Sequence, residues 1–170
     1  LTVPNMVLRY RIDHAAKYHA DREILSVSAN GGLERENWAG ISFEARKIGA
    51  FLNKIGLVEG DRVATLAWNR RSHLALYFGV ASSGRVLHTV NPRLHADQLA
   101  YVLNHGGSQI VGVDPDLLQV LLDVIDHLPK IRTILVLGEF DGVVDIDGVA
   151  ILDYKTALDH ITPLRDWPEL

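Results

Sequence analysis

The sequence has no cysteine, one methionine, and no surplus of positive charge: 17 basic residues stand against 21 acidic ones, a formal charge of −4. Without cysteine there is neither a disulfide framework nor a thiolate metal site, and the composition suits a reducing compartment. An acidic balance offers no field to gather phosphates, so the whole chain is not expected to bind nucleic acid, which leaves only a local basic patch. No apolar run approaches the roughly 18 residues that span a bilayer, so no transmembrane segment is expected, and no basic-then-apolar leader precedes Leu1. A soluble, cytoplasmic protein is the expectation, and a first residue other than Met suggests that residues lie upstream. Both nucleotide-binding signatures with a clear mechanism, G-x-x-x-x-G-K-[ST] and G-x-G-x-x-G at a strand-to-helix turn, are missing too. What is present is average globular material, 170 residues with 48% hydrophobic and 22% charged content, enough for one compact domain with a core.

Hydrophobic spacing organises that material. From Thr2 to Tyr18, Val3, Met6, Val7, Tyr10, His14 and Ala15 fall at mixed helical spacings, with Asp13 and Lys17 four apart, which predicts a surface helix. Glu23 to Ser28 alternates partly and meets Asn30-Gly31-Gly32, residues that accept positive φ, before Leu33 to Glu36; this predicts a hairpin. Asn37 then caps a helix whose apolar stripe is Ile41, Ala45, Ile48, Leu52 and Ile55, opposite Glu44, Arg46, Lys47 and Lys54, and which stops at Gly56.

After Asp61 the pattern turns to short apolar strands, each followed by a helix. Strands are predicted at 63–67, 86–90, 110–113 and 134–137. The helix after the first carries Leu74, Tyr77, Phe78 and Ala81. The next carries Leu99, Val102 and Leu103 and stops at Gly106-Gly107. The third follows the cap pair Asp114-Pro115 and carries Leu117, Leu118, Leu121, Val124, Ile125 and Leu128. Strands apolar on both faces need cover on both, and antiparallel neighbours would not need such long helical links. The predicted fold is α/β, a doubly wound parallel sheet with an N-terminal helix and β-hairpin. Glu139 to Gly148 reads as a surface loop, Asp153 as the cap of a short helix through Leu158, and Thr162 to Pro168 as an exposed connection. The organisation is a helix and hairpin lead-in over 1–37, βα units over 38–160 and an exit linker over 161–170.

Ligands of open α/β sheets lie beyond the carboxyl ends of the strands. The segments there are Trp68-Asn69-Arg70-Arg71, Asn91-Pro92-Arg93, Asp114-Pro115 and Gly138-Glu139. Arg93 could present a forked donor to a phosphate or carboxylate, but a structural turn with a solvated Arg explains the triplet. Arg70 and Arg71 suit a solvated face, since cations are disfavoured at a helix start. Asp114 before Pro115 reads as a helix cap. Ser82-Ser83-Gly84 reads as a helix stop, and His88 as a boundary side chain of its strand. His14 and His19 are five apart and the other histidines form no ligand cluster, so no metal site is expected. A receiver domain shares the βα alternation, but it would need adjacent acids where this chain has Ala67-Trp68-Asn69.

Longer motifs go further. Asn37-Trp38-Ala39 with its helix, then Gly60-Asp61-Arg62-Val63-Ala64-Thr65-Leu66-Ala67-Trp68-Asn69, resembles the first core motif of the AMP-forming acyl-CoA synthetases. Tyr77-Phe78-Gly79-Val80, Gly84 through Leu94 with its Asn91-Pro92-Arg93, and Gln98 through His105 are similar to the second core motif of the long- and medium-chain fatty-acid ligases. The likeness runs over nearly the whole chain, and Ser82-Ser83 before Gly84-Arg85 is its one departure. It implies the N-terminal portion of the large domain of an enzyme that uses ATP, Mg2+ and CoA. A fatty acid or related carboxylate would become an acyl-adenylate and then a thioester, in a protein expected to be a homodimer. The family's glycine-rich phosphate loop, its adenine, ribose and magnesium ligands and its C-terminal lysine are not in these 170 residues. The resemblance therefore implies no catalytic residue and no bound cofactor here, and a chain inactive by itself. The rival reading is a stand-alone α/β interaction or binding module.

Overall fold

The computed structural model describes residues 7–28, 30–140, 142 and 144–169. Helix α1 (Leu8–Tyr18) precedes a hairpin of β1 (Glu23–Val27) and β2 (Leu33–Asn37), paired in register from Glu23 opposite Asn37 to Val27 opposite Leu33. Gly31 at φ +81° makes the reversal that Asn30-Gly31-Gly32 predicts. The part of the opening prediction that rests on Val3 and Met6 lies outside the described residues. Within α1 the buried residue is Ile12, while Tyr10 is exposed, so the inward face differs from the one expected.

Helix α2 (Trp38–Lys54) begins as the sequence requires: the Asn37 side chain accepts from the Gly40 amide at 2.8 Å. Ile41, Ala45, Ile48 and Leu52 are buried as one stripe. Five parallel strands follow, β3 (Arg62–Leu66), β4 (Val86–Val90), β5 (Ile110–Val113), β6 (Thr133–Val136) and β7 (Ala150–Asp153), in the order β4-β3-β5-β6-β7. Between them run α3 (Arg71–Ser82), α4 (Ala96–Gly106) and α5 (Leu118–Leu122), and α6 (Tyr154–Asp159) comes last.

The chain moves first from β3 outward to β4, then crosses back to β5 and continues the other way. Right-handed crossovers therefore place α3 on one face of the sheet and α4 and α5 on the other. Packing agrees. Ala75, Leu76 and Val80 of α3 join Ile48 and Leu52 of α2 and Leu158 of α6 over one face, while Leu99 and Leu103 of α4 and Leu118 and Leu121 of α5 cover the other. Alternate strand residues serve the two layers: Ile110 and Leu135 face α2 and α3, Val111, Val113, Ile134 and Val136 face α4 and α5. The sheet is doubly wound, as predicted.

Four local expectations are corrected. The inward face of α3 is Ala75, Leu76, Gly79 and Val80, and Tyr77 is exposed. The reason is close packing: a Cβ on Gly79 would come within 2.7 Å of the Ala45 carbonyl oxygen, so small residues rather than large ones mark the contact with α2. The long helix expected after Asp114 is broken into a 3-10 turn at Pro115–Leu117, α5, and a second turn at Ile125–His127. Its inward residues Leu117, Leu118, Leu121, Val124 and Leu128 are nonetheless buried, and the break falls beside the β-branched pair Val124-Ile125, which lowers helix propensity. Strand β7 was not expected. Finally, Thr162 to Pro168 does not run free, because Trp167 is only 9% exposed against Ile12, Ile41 and Ala45. Its indole donates to Asp13 at 3.1 Å, and Arg46 donates to the Arg165 carbonyl at 2.7 Å. Asp13 thus pairs with Arg46, at 2.8 Å.

Candidate functional site

A cleft of about 860 Å³ opens beyond the carboxyl ends of the strands, between the hairpin, the outer side of α2 and α6. Three of the four segments singled out in the sequence contribute to it, through Arg70-Arg71, Pro115 and Gly138-Glu139. Asn91-Pro92-Arg93 does not. There Asn91 Oδ1 accepts from the Arg93 amide at 3.0 Å and Arg93 is exposed, the local turn the sequence suggests.

Arg70, on the lining of the cleft, belongs to an ion-pair network past the ends of β3 and β5. Asp114 is fully buried, and rather than capping the turn that follows, its Oδ2 accepts from the Trp68 amide at 2.8 Å and forms an ion pair with Arg70 at 2.9 Å. Arg70 also donates to Asp116 at 3.0 Å, and Trp68 Nε1 donates to the same carboxylate at 3.0 Å. Burial raises the Asp114 pKa against the pull of the Trp68 N–H and Arg70. Asp116 is held below its ordinary value, its slight burial outweighed by the bonds from Arg70 and Trp68. Beneath them, His73 Nδ1 lies 3.0 Å from the Trp68 carbonyl, which can only accept; in the neutral ring Nε2 then accepts from the Thr65 hydroxyl, also at 3.0 Å.

The side wall holds a second network that sequence reasoning did not find. Glu44, expected on the outward face of α2, is 8% exposed. Its carboxylate accepts from Arg71 and from the Tyr154 hydroxyl at 2.5 Å, and Glu36 of β2 lies 3.4 Å from Arg71 Nε. Burial by itself would lower the Arg71 pKa, but Glu44, Tyr154 and Glu36 together raise it; burial and Glu44 push that of Tyr154 well up. Arg70 and Arg71 are therefore neither solvated nor free, which corrects the solvated-face reading. The i, i+4 stripe of α2 held no hint of Glu44, since its partners lie 27 and 110 residues along the chain.

The cleft lining has six carboxylates and four cations, two of which, Arg70 and Arg71, are already paired. It is not a phosphate cradle. Among the described residues no three His, Asp or Glu side chains stand together as a ready-made metal-ion cluster. His88 of β4 lies 3.4 Å from the Ser108 hydroxyl, with its pKa lowered by burial, and Ser83 Oγ donates to the Val80 carbonyl at 3.0 Å at the end of α3. Arg85 is buried and donates to the carbonyls of Ser83 and Leu57 and to Asn53, clamping the end of α3 to the end of α2. Among the described residues no helix is long and apolar enough to cross a membrane.

The chain is 43% identical over 161 residues to a 3-methylmercaptopropionyl-CoA ligase of Ruegeria pomeroyi, covering 94% of this chain and 30% of that protein. It is 32% identical to a medium-chain-fatty-acid–CoA ligase of Ectopseudomonas oleovorans, covering 97% and 30%. The chain thus spans about a third of the length of the curated relatives it matches. The fold matches a solved benzoate CoA ligase from Burkholderia xenovorans LB400 with a TM-score of 0.76 over 95% of this chain and 30% of the other, at 14% identity. The family model described as AMP-binding enzyme matches residues 12–156, from α1 through the whole parallel sheet to α6. The chain belongs to the AMP-binding enzyme family of adenylate-forming acyl-CoA ligases.

Proposed function

We propose that these residues form part of the large domain of an ATP-dependent acyl-CoA ligase acting on a fatty acid or a related short thioether acid such as 3-methylmercaptopropionate. The identity of 43% across 94% of the chain to a ligase of that name carries the reading. In the reaction a carboxylate oxygen attacks the α-phosphorus of ATP and pyrophosphate leaves. The CoA thiol then attacks the acyl carbonyl, and AMP leaves with the bonding electrons.

Both steps need charge compensation on phosphate and fixed alignment of reactants. Here Arg70 and Arg71 are committed to internal carboxylates, so this chain supplies the scaffold and one wall rather than the phosphate grip, and by itself it is inactive. Cytoplasmic placement and a homodimer belong to the same proposal.

The test is carboxylate-dependent exchange of labelled pyrophosphate into ATP by the longer protein encoded by the gene, offered 3-methylmercaptopropionate, octanoate and palmitate in turn. Exchange with at least one acid, followed by thioester formation on adding CoA, is expected, with none from the 170-residue chain. A longer protein that exchanges with no carboxylate, or a 170-residue chain that exchanges unaided, overturns it.

A further inference from the structure

We infer that the outward side of α1 is a docking surface for an anionic membrane. The inference stands on the helix itself and goes beyond the ligase reading. At about 3.6 residues per turn, Lys17, Tyr10, His14, Tyr18 and Arg11 share an arc of about 120° that faces away from the buried Ile12. All five are exposed, Tyr10 to 50% and Tyr18 to 61%. The one acid of the helix, Asp13, is engaged elsewhere, with Arg46 and the Trp167 indole. The arc thus carries two permanent cations and no carboxylate, in a chain whose formal charge is −4.

A face made only to be solvated mixes both signs of charge and shows few large rings. Here each exposed ring lies beside a cation. The Arg9 guanidinium is 5.2 Å from the centre of the Tyr10 ring, and the Lys17 ammonium is 5.0 Å from that of Tyr18. The His14 ring packs on Tyr18 at 4.8 Å.

Charge and shape together select the occupant. Cations without acids call for a polyanion, and a tyrosine, apolar along its ring and polar at its hydroxyl, suits the headgroup level of a bilayer. A single-stranded nucleic acid is held in a groove that tracks its backbone, whereas α1 offers one convex ridge, which a flat lipid surface can meet along its length. Ile12 stays packed with Ile41 and Ala45, so contact needs no refolding and is shallow and reversible.

Cosedimentation of the longer protein with vesicles tests this, comparing phosphatidylcholine alone with an equal mixture of phosphatidylcholine and phosphatidylglycerol in about 0.1 M salt. Binding to the mixed vesicles alone is expected, weakened severalfold in about 0.5 M salt. A cation near an anionic surface is worth about fivefold in partitioning, so Arg11→Gln/Lys17→Gln should lower it roughly twentyfold. Tyr10→Ser/Tyr18→Ser should lower it severalfold at both salt concentrations. The control Lys130→Gln/Arg132→Gln removes as much charge from another exposed site and should leave binding unchanged, as all three variants should leave the melting temperature. No binding to the mixed vesicles, equal loss from the two charge variants, or tighter binding to a single-stranded oligonucleotide than to the vesicles overturns the inference.

Discussion

Asp114 offers the sharpest test of the ion-pair network beside the cleft, because its two plausible roles, helix cap and network acceptor, predict different variants. Its Oδ2 accepts from the Trp68 amide and is ion-paired with Arg70, while Oδ1 is buried without a hydrogen-bond partner. Asp114→Ala strands the Trp68 N–H, a loss of about 1–3 kcal/mol, and leaves Arg70 only the half-exposed Asp116. Asp114→Asn keeps an amide oxygen where Oδ2 lies and sets its NH2 where Oδ1 has no partner, so stability at pH 7 stays within about 1 kcal/mol of wild type. The pH dependence has a defined sign. Burial raises the folded-state pKa of Asp114 above the ordinary 3.8, so folding favours the protonated form. Its contribution is complete below 3.8 and is lost as the pH climbs through the folded value, whereas the Asn variant has nothing to titrate. Urea unfolding followed by tryptophan fluorescence at pH 4, 5, 6 and 7 should show wild type losing ground to Asp114→Asn as pH rises. An Ala variant as stable as the Asn variant refutes the network, and a wild type that gains on the Asn variant with rising pH refutes the dominance of burial over the pull of Arg70 and the Trp68 N–H.

Two other predictions concern residues that tie distant segments together. Tyr154→Phe removes the hydroxyl that Glu44 accepts within a buried wall and should cost about 1.5–3 kcal/mol in chemical denaturation, the range for bonds to charged groups; an unchanged midpoint would mean the bond carries nothing. Trp167→Ala should cost about 2–4 kcal/mol and open residues 162–169 to limited proteolysis, since the ring packs on Ile12, Ile41 and Ala45.

Periodicity reveals contacts made along one element, and here it revealed the stripe of α2, the Asn37 cap, the hairpin reversal and the strands β3 to β6. It failed where the chemistry was settled between elements. Glu44 is polar and sits off the stripe, so only Arg71 and Tyr154 explain why it is buried. Asp114 has the sequence of a cap, yet its carboxylate instead accepts from the Trp68 amide just past the end of the neighbouring strand. In α3 the large residues Tyr77 and Phe78 suggested the core, while the close approach to α2 selected Gly79 and Ala75. Strand β7 is an edge strand, exposed or half-buried along its length and ending in the acid that caps the next helix, so it lacks the buried apolar run that marks β5 and β6. Of the cleft, the strand-end segments were legible and the wall that closes it was not.

The bond from the Trp167 indole to Asp13 joins residues 154 positions apart. A ribosome adding about 5–20 residues each second needs roughly 8–30 seconds to bridge that gap, and until then the cluster of Ile12, Ile41 and Ala45, already assembled from the first two helices, lacks its closing ring. The last-made segment thus seals a seam laid down by the earliest helices of these residues, which ties the completion of that corner to the end of their synthesis.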